Sequence, residues 1–281
     1  MHTVDTVVSR DACPFAGAED RPTAYAEYGA IETLLSLQHP RTGEPAERSF
    51  LVATQVMELL FDLLRRHWEQ ARDALEADAV PAALAALRRG AAVQDVLVAS
   101  WDLVGSLTPA EFGRFRAALG DASGVQSAGY RHLEFLLGER APGFLTAFRG
   151  MPEVRADLRR TLTSPGLHDA ALRLLHRRGL PVPAERVDRD WARPCPPHPG
   201  VERVWAMVTA DPRPGDEAAD LAEALLDTAE RHTRWRRRHA AAVKRSMGRA
   251  PGTAGTSGLD WLERTAARDV FPELWASRTL V

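Results

Sequence analysis

Two histidines, His232 and His239, share one face of a long predicted helix that begins near Asp216. They recur close to the 3.6-residue period of a buried stripe, whose other members are Leu221, Leu225 and Val243. A buried imidazole needs a partner on at least one ring nitrogen, which can be a backbone carbonyl, a carboxylate or a metal ion. Each histidine is therefore either an internally bonded core residue or a candidate metal ligand.

An arginine occupies an apolar helical face further upstream. Thr108-Pro-Ala-Glu111 predicts a helix start, because it combines a capping box with proline at the first helical position. The helix that it opens places Phe112, Arg116 and Leu119 on one face. Arg116 either extends to solvent at the edge of the domain or binds a carboxylate through two parallel hydrogen bonds.

A single hydroxyl group interrupts a third apolar face. The helix predicted from about residue 48 to residue 70 places Thr54 in one stripe with Phe50, Met57 and Phe61. A threonine in such a stripe commonly bonds to the backbone of its own helix.

Helical patterns also cover the rest of the chain. Residues 71–106 predict two helices broken near Gly90, and further helices are expected at 126–137 and within 141–178. With no strand pattern or internal repeat, the chain is predicted to be an all-α helical bundle. We predict a mobile N-terminal segment at 1–20 and one domain at 21–281, in which 141–200 forms a peripheral helical excursion and a Pro-rich loop.

Composition excludes several classes of protein. The 281 residues are 45% hydrophobic and carry a formal charge of -2, which argues against a general nucleic-acid-binding protein. No apolar run of about 18 residues predicts a membrane span, and the N-terminus lacks the apolar core of a signal peptide. Cys13 and Cys195 show no metal-binding spacing. We therefore expect a soluble, cytoplasmic protein that binds neither membrane nor nucleic acid.

Seven motifs between Tyr25 and Thr279 resemble, in order, those of the tryptophan 2,3-dioxygenase family. They are Tyr25-Ala-Glu-Tyr28 with Leu34 to Gln38, Gln55 to Phe61, Phe112-Gly-Arg-Phe-Arg116, Ser123 to Ser127 with Tyr130-Arg131 and Glu134-Phe135, Trp235-Arg-Arg-Arg-His239, Gly252 to Gly258, and Phe271-Pro-Glu-Leu-Trp275. The resemblance implies a helical bundle enclosing a b-type heme, with O2 as co-substrate and a homotetramer as the assembly.

The resemblance also assigns roles to particular residues. It implies that His239 is the proximal iron ligand and that Arg116 binds the substrate carboxylate. Thr253 would contact the amino-acid end of the substrate. The residues implied to line the indole pocket are Phe50, Phe112 and Leu119, and those implied to reach a neighbouring subunit's site are Tyr25 and Tyr28.

Two positions depart from the family pattern. Thr54 stands where the family has a distal histidine, so a contact to the indole N–H is lost or weakened. Indoleamine dioxygenases, on a related fold, resemble this chain in having a small hydroxyl residue there. Gly29, followed by Ala30, stands where a bulky apolar residue is usual, and the extra room would suit a tryptophan with an added substituent such as a β-methyl group. Neutral drift is the alternative explanation of both departures.

The resemblance implies oxygenation of the indole 2,3 bond of tryptophan or a substituted tryptophan. Thr54 and Gly29 together favour retention of one oxygen atom in a 2-oxindole, and the alternative is a dioxygenase that forms N-formylkynurenine. A heme sensor without turnover is a further alternative, since a proximal histidine alone can hold heme. Arg116 and Thr253 argue against a sensor, which needs no amino-acid clamp.

Overall fold

The computed structural model describes residues 22–252 and 257–280, and all regular structure within those ranges is helical. This confirms the predicted all-α class. The helices are α1 Ala24–Tyr28, α2 Ile31–Ser36, α3 Pro45–Glu76, α4 Val80–Gly105, α5 Pro109–Arg116, α6 Ala128–Leu136, α7 Pro152–Leu162, α8 Leu167–Arg177, α9 Ala184–Val187, α10 Pro199–Thr209, α11 Glu217–Met247, α12 Leu259–Ala266 and α13 Pro272–Ser277. Short 3-10 helices lie at Ala117–Leu119, Gly124–Gln126 and Pro142–Phe148.

The chain forms two compact units, of which the first ends at His39 and the second begins at Pro40. In the first unit, the side chain of Thr23 caps α1 by accepting a hydrogen bond from the backbone N–H of Ala26 at 3.2 Å. Neither α1 nor α2 has a buried residue. The predicted segment at 1–20 lies outside the described residues, and the limits of the domain at 21–281 stay a prediction.

Three long helices form the centre of the second unit. Helix α4 packs along both α3 and α11, because each presents a continuous apolar stripe to the core. Trp68 of α3, Leu87 of α4 and Leu225 of α11 are each at most 2% exposed. The described helices include none that is long and apolar enough to cross a membrane.

Helix α4 runs through Gly90 without interruption, so the predicted break at this glycine is wrong. A Cβ atom at position 90 would lie 3.2 Å from both Leu64 Cδ1 and Trp68 Nε1. The glycine therefore permits close packing of α4 on α3. A sequence pattern cannot distinguish this role from a helix break, because both place a lone glycine within an apolar repeat.

The predicted start of α5 is confirmed. The Thr108 hydroxyl accepts from the backbone N–H of Glu111 at 3.3 Å, and the Glu111 carboxylate accepts from the backbone N–H of Thr108 at 2.8 Å. Helix α5 ends at Arg116, and Leu119 lies in the 3-10 helix that follows. The predicted α11 is confirmed as well, with Asp216 as its N-cap.

Candidate functional site

Aromatic side chains from α3 and α5 form an apolar cluster. The ring centroid of Phe50 lies 5.9 Å from that of Phe112 and 5.6 Å from that of Phe115. Leu119 and Met247 pack against the same cluster. The structure therefore brings together three of the residues predicted to line an indole pocket, and adds Phe115 and Met247 to them.

Arg116 is the last residue of α5, the helix that carries Phe112 and Phe115. Its Nη2 donates a hydrogen bond to the backbone carbonyl of Pro251 at 2.6 Å. Within the described residues Arg116 has no carboxylate partner, whereas Arg114 on the same helix is paired with Glu44. Arg116 thus retains N–H groups that can bind a ligand carboxylate through charge-assisted hydrogen bonds.

Thr54 is exposed and lies one turn beyond Phe50 on α3. Its hydroxyl donates to the backbone carbonyl of Phe50 at 3.0 Å, as a threonine within a helix commonly does. A hydroxyl oxygen that donates its proton still has lone pairs to accept with. Thr54 can therefore accept one hydrogen bond from a ligand N–H.

The imidazole of His239 stacks on the indole of Trp101, with 4.3 Å between ring centroids and 11° between ring planes. Among the described residues neither ring nitrogen of His239 has a hydrogen-bond partner. Burial lowers the pKa of His239 to about 4, so the ring is neutral near pH 7. A neutral imidazole with an unused nitrogen is the state that a metal ligand requires.

His232, unlike His239, packs as a core residue with a partner inside the protein. It is 4% exposed, its ring stacks on Tyr130, and its Nε2 lies 3.5 Å from the Tyr130 hydroxyl. Burial holds the pKa of His232 well below its ordinary value. His232 is therefore a neutral core histidine.

The turn of α11 that precedes His239 is fixed by a buried arginine. Arg236 donates to the Tyr130 hydroxyl at 3.0 Å and to the carbonyl of Thr265 at 3.3 Å. It also forms ion pairs with Glu134 at 3.2 Å and Glu139 at 2.6 Å. Contacts to α6, the following loop and α12 thus restrict rotation of α11 about its axis.

Contacts at two levels along the helix axes show the relative direction of α3 and α11. At one level the rings of Phe61 and Trp235 are 5.6 Å apart, and at the other Met247 packs on the cluster around Phe50. These contacts are about three turns apart on each helix, so the helices run antiparallel. Along the helix axes, Thr54 and His239 both lie between these two contacts.

The predicted site roles of three further residues stay predictions. Thr253 lies outside the described residues, although the neighbouring Pro251 is bonded to Arg116. Tyr25 and Tyr28 belong to the first unit, where they are 77% and 96% exposed. Their predicted roles are untested.

Contacts within the first unit explain why position 29 is a glycine. A Cβ atom at position 29 would lie 2.7 Å from Ile31 Cδ1 and 3.3 Å from the carbonyl oxygen of Tyr25. The absence of a side chain thus suits packing within the first unit. The room for a substrate substituent that we inferred from Gly29 stays a prediction.

Trp101 and Trp235 were not among the predicted site residues. Both are at most 9% exposed, and their Nε1 atoms are buried without a hydrogen-bond partner among the described residues. Trp101 falls one turn after Leu97 on the inward stripe of α4, and Trp235 one turn before His239 on α11. Helical spacing from residues already assigned to the core would have identified both.

Comparison with known proteins identifies the class to which this helical bundle belongs. The sequence model of the family described as tryptophan 2,3-dioxygenase matches residues 13–180 and 203–281. The chain belongs to the tryptophan 2,3-dioxygenase family.

Individual members are similar over nearly the whole chain. Tryptophan 2,3-dioxygenase 1 of Ralstonia nicotianae is 34% identical over 278 residues, which cover 95% of each chain. Tryptophan 2,3-dioxygenase of Burkholderia orbicola is 37% identical over 256 residues, 91% of this chain and 82% of that protein. The relative of the same name from Burkholderia ambifaria is 36% identical over 97% of this chain.

The family implies a heme cofactor, and the residues around His239 fit one. The unpartnered neutral imidazole can ligate iron, and the aromatic rings of Trp101 and Trp235 provide an apolar wall beside it. In the described part of the chain, the two indole N–H groups are buried donors without acceptors. Such groups are rare in folded proteins, and a bound cofactor or ordered water accounts for them.

Proposed function

We propose that this protein is a heme-dependent oxygenase that adds oxygen from O2 to the indole 2,3 bond of tryptophan. The observation that carries the proposal is the neutral imidazole of His239, which stacks on Trp101 of α4 and has no hydrogen-bond partner within the described residues. Heme bound through His239 would supply O2 binding and activation. We expect the enzyme to act in the cytoplasm.

The chain's own residues bind and orient the substrate. Phe50, Phe112 and Leu119 provide apolar surface for the indole ring, and Arg116 pairs with the α-carboxylate. Thr54 accepts from the indole N–H, and Thr253 contacts the amino-acid end. Holding both ends of the substrate fixes the 2,3 bond relative to the cofactor, which lowers the entropic part of the barrier.

The proposed outcome is insertion of both oxygen atoms, giving a product of the N-formylkynurenine type. The names of the relatives favour this over the 2-oxindole that the departures at Thr54 and Gly29 favour. Retention of one oxygen is the second candidate, because Thr54 leaves the site without an imidazole at the distal position. A β-methyl or otherwise substituted tryptophan is the substrate that goes with this second candidate.

The proposed assembly is a homotetramer in which Tyr25 and Tyr28 reach the site of a neighbouring subunit. Their exposure supports this, since large aromatic side chains exposed on a short helix are typical of an interface. Leu35 and Leu37 of the same unit are 63% and 52% exposed.

Optical titration of the heme-loaded protein with L-tryptophan tests the proposal. We expect a saturable change in the heme spectrum and a weaker affinity in Arg116→Ala. The matched control is Arg114→Ala, since Arg114 lies on the same helix but is 56% exposed and paired with Glu44. A heme sensor would give no spectral response to L-tryptophan, or one that Arg116→Ala leaves unchanged.

A further inference from the structure

A cavity of about 60 Å3 lies between α8, α13 and residues 181–202, the segment that the family model does not match. It shares no residue with the proposed indole site. Its polar lining consists of His168, Asp169, Arg186, Arg189, Cys195 and Glu273. Its volume corresponds to roughly four water-sized positions, which is enough for a small ion.

Within the described part of the chain, the buried charges around this cavity do not balance. Asp169 pairs with both Arg140, at 3.1 Å, and Arg189, at 2.8 Å. The Arg186 guanidinium lies 3.8 Å from the Glu273 carboxylate. All five side chains are at most 12% exposed. Three guanidinium groups therefore accompany two carboxylates, and the uncompensated positive charge lies with the two arginines that share Asp169.

Two hydrogen-bond donors at the cavity also lack partners among the described residues. The Nε–H of Arg189 is buried without an acceptor. His168 accepts from the indole N–H of Trp205 through Nε2 at 3.0 Å. Burial lowers the pKa of His168, so the ring is neutral and its proton is on Nδ1, which has no hydrogen-bond partner in the described ranges.

We propose that this cavity binds a small monovalent anion, such as chloride or formate. Such an anion balances the charge that Arg140 and Arg189 leave uncompensated, and it accepts from the two unpartnered donors. Arg189 belongs to the unmatched segment, whereas His168 belongs to α8. The bound anion therefore links residues 181–202 to the helical core and stabilises the folded protein.

Thermal unfolding of the heme-loaded protein tests the proposal, with gluconate exchanged for chloride or formate at constant ionic strength. Gluconate is too large for the cavity. We expect a saturable rise in Tm of about 2–4 °C at concentrations several times the dissociation constant. A rise with chloride identifies a halide-type site, and a rise with formate alone identifies a carboxylate-selective one.

Two variants separate this site from general salt effects. Arg189→Gln removes the excess charge but leaves Asp169 paired with Arg140, so the anion-dependent rise should disappear. Arg193→Gln changes an 83% exposed arginine of the same segment and should retain the full rise. The proposal is overturned if neither anion raises Tm in the wild type, or if Arg189→Gln keeps the rise.

A measurement on the wild type alone covers the case in which Arg189→Gln fails to fold. Chloride-35 line broadening should increase on adding the protein and reverse on adding formate. If chloride raises Tm in the wild type, no broadening above that given by an equal concentration of a protein without such a site would overturn the proposal.

Discussion

His239 and Trp101 stack with 4.3 Å between ring centroids and 11° between planes, so an indole ring orients the imidazole while both ring nitrogens stay without a hydrogen bond to any described residue. The rotation of α11 sets the direction of the histidine, and the stack sets the plane of its ring. In the proposed enzyme this arrangement presents a nitrogen to iron without a competing hydrogen bond.

Replacing Trp101 should therefore weaken heme retention. Aromatic pairs contribute about 0.5–1.5 kcal/mol beyond area burial, so Trp101→Leu should increase the rate of heme transfer to an apoprotein acceptor by roughly 2–10-fold. Trp101→Phe keeps a stacking ring and should have a smaller effect. The control is Trp275→Leu, a 37% exposed tryptophan on α13. Equal loss of heme from Trp101→Leu and Trp275→Leu would refute this role of the stack.

Arg116 should determine affinity for the amino-acid carboxylate. Hydrogen bonds to charged groups contribute about 1.5–3 kcal/mol, so Arg116→Ala should raise KM for L-tryptophan by roughly 10–100-fold. The heme spectrum without substrate should not change, because Arg116 bonds only to the carbonyl of Pro251 within the described residues. An unchanged KM in a folded, heme-loaded variant would remove Arg116 from the site.

Thr54 should act as a hydrogen-bond acceptor. Thr54→Val keeps the shape but removes the oxygen, and the loss of one neutral hydrogen bond of about 0.5–1.5 kcal/mol should raise KM by roughly 2–10-fold. Thr54→Ser keeps the oxygen and should behave like the wild type. The result that excludes the role is a Thr54→Val enzyme with wild-type kinetics.

Stability should fall below about pH 6.5 because of a buried histidine. Burial, followed by the charge of Arg65, lowers the pKa of His132 to about 4. Between the unfolded pKa of about 6.5 and this value, the unfolded chain binds a proton that the folded protein does not. His132 therefore does not reduce the free energy of unfolding above pH 6.5. As the pH falls towards 4, it reduces that free energy by up to about 3 kcal/mol.

Urea unfolding at several pH values measures this dependence. Three other histidines, His168, His232 and His239, also have lowered pKa values, so the wild type is compared with a variant. His132→Gln retains groups for Thr161 and Arg65 and should reduce the slope of unfolding free energy against pH by up to about 1.4 kcal/mol per pH unit. Identical slopes in the two proteins would contradict the assignment.

Two helical glycines should respond to alanine in opposite directions. A Cβ at Gly129 would lie 2.9 Å from the Glu58 carboxylate and 3.1 Å from Phe61 Cβ, so Gly129→Ala should destabilise the protein by about 1–3 kcal/mol. At Gly113 nothing lies within 4 Å, so Gly113→Ala should stabilise it by up to about 1 kcal/mol. Chemical unfolding midpoints provide the test, and a stabilising Gly129→Ala would show that α6 can move away from α3.

Local sequence patterns predicted the helices where the signals were themselves local. The capping box at Thr108 and the start of a long helix near Asp216 are confirmed, and the capping bonds at both join residues two or three positions apart. Gly90 was assigned wrongly, since its packing against Leu64 and Trp68 depends on another helix.

The distinction between the two histidines also depended on tertiary contacts. His232 and His239 have the same periodicity on α11, and only the folded chain places Tyr130 beside one and Trp101 beside the other. The bond from Arg116 to Pro251 links residues 135 positions apart, which helical spacing does not reveal.

The central claim is that the protein adds oxygen from O2 to the indole ring, and product mass under oxygen-18 gas tests it most directly. The reduced, heme-loaded protein with L-tryptophan should give a ring-opened product that carries two labelled oxygen atoms. One labelled atom in a 2-oxindole would contradict the dioxygenase assignment and select the second candidate. Heme-loaded protein that gives no labelled product from tryptophan or its β-methyl derivative would contradict the oxygenase proposal itself.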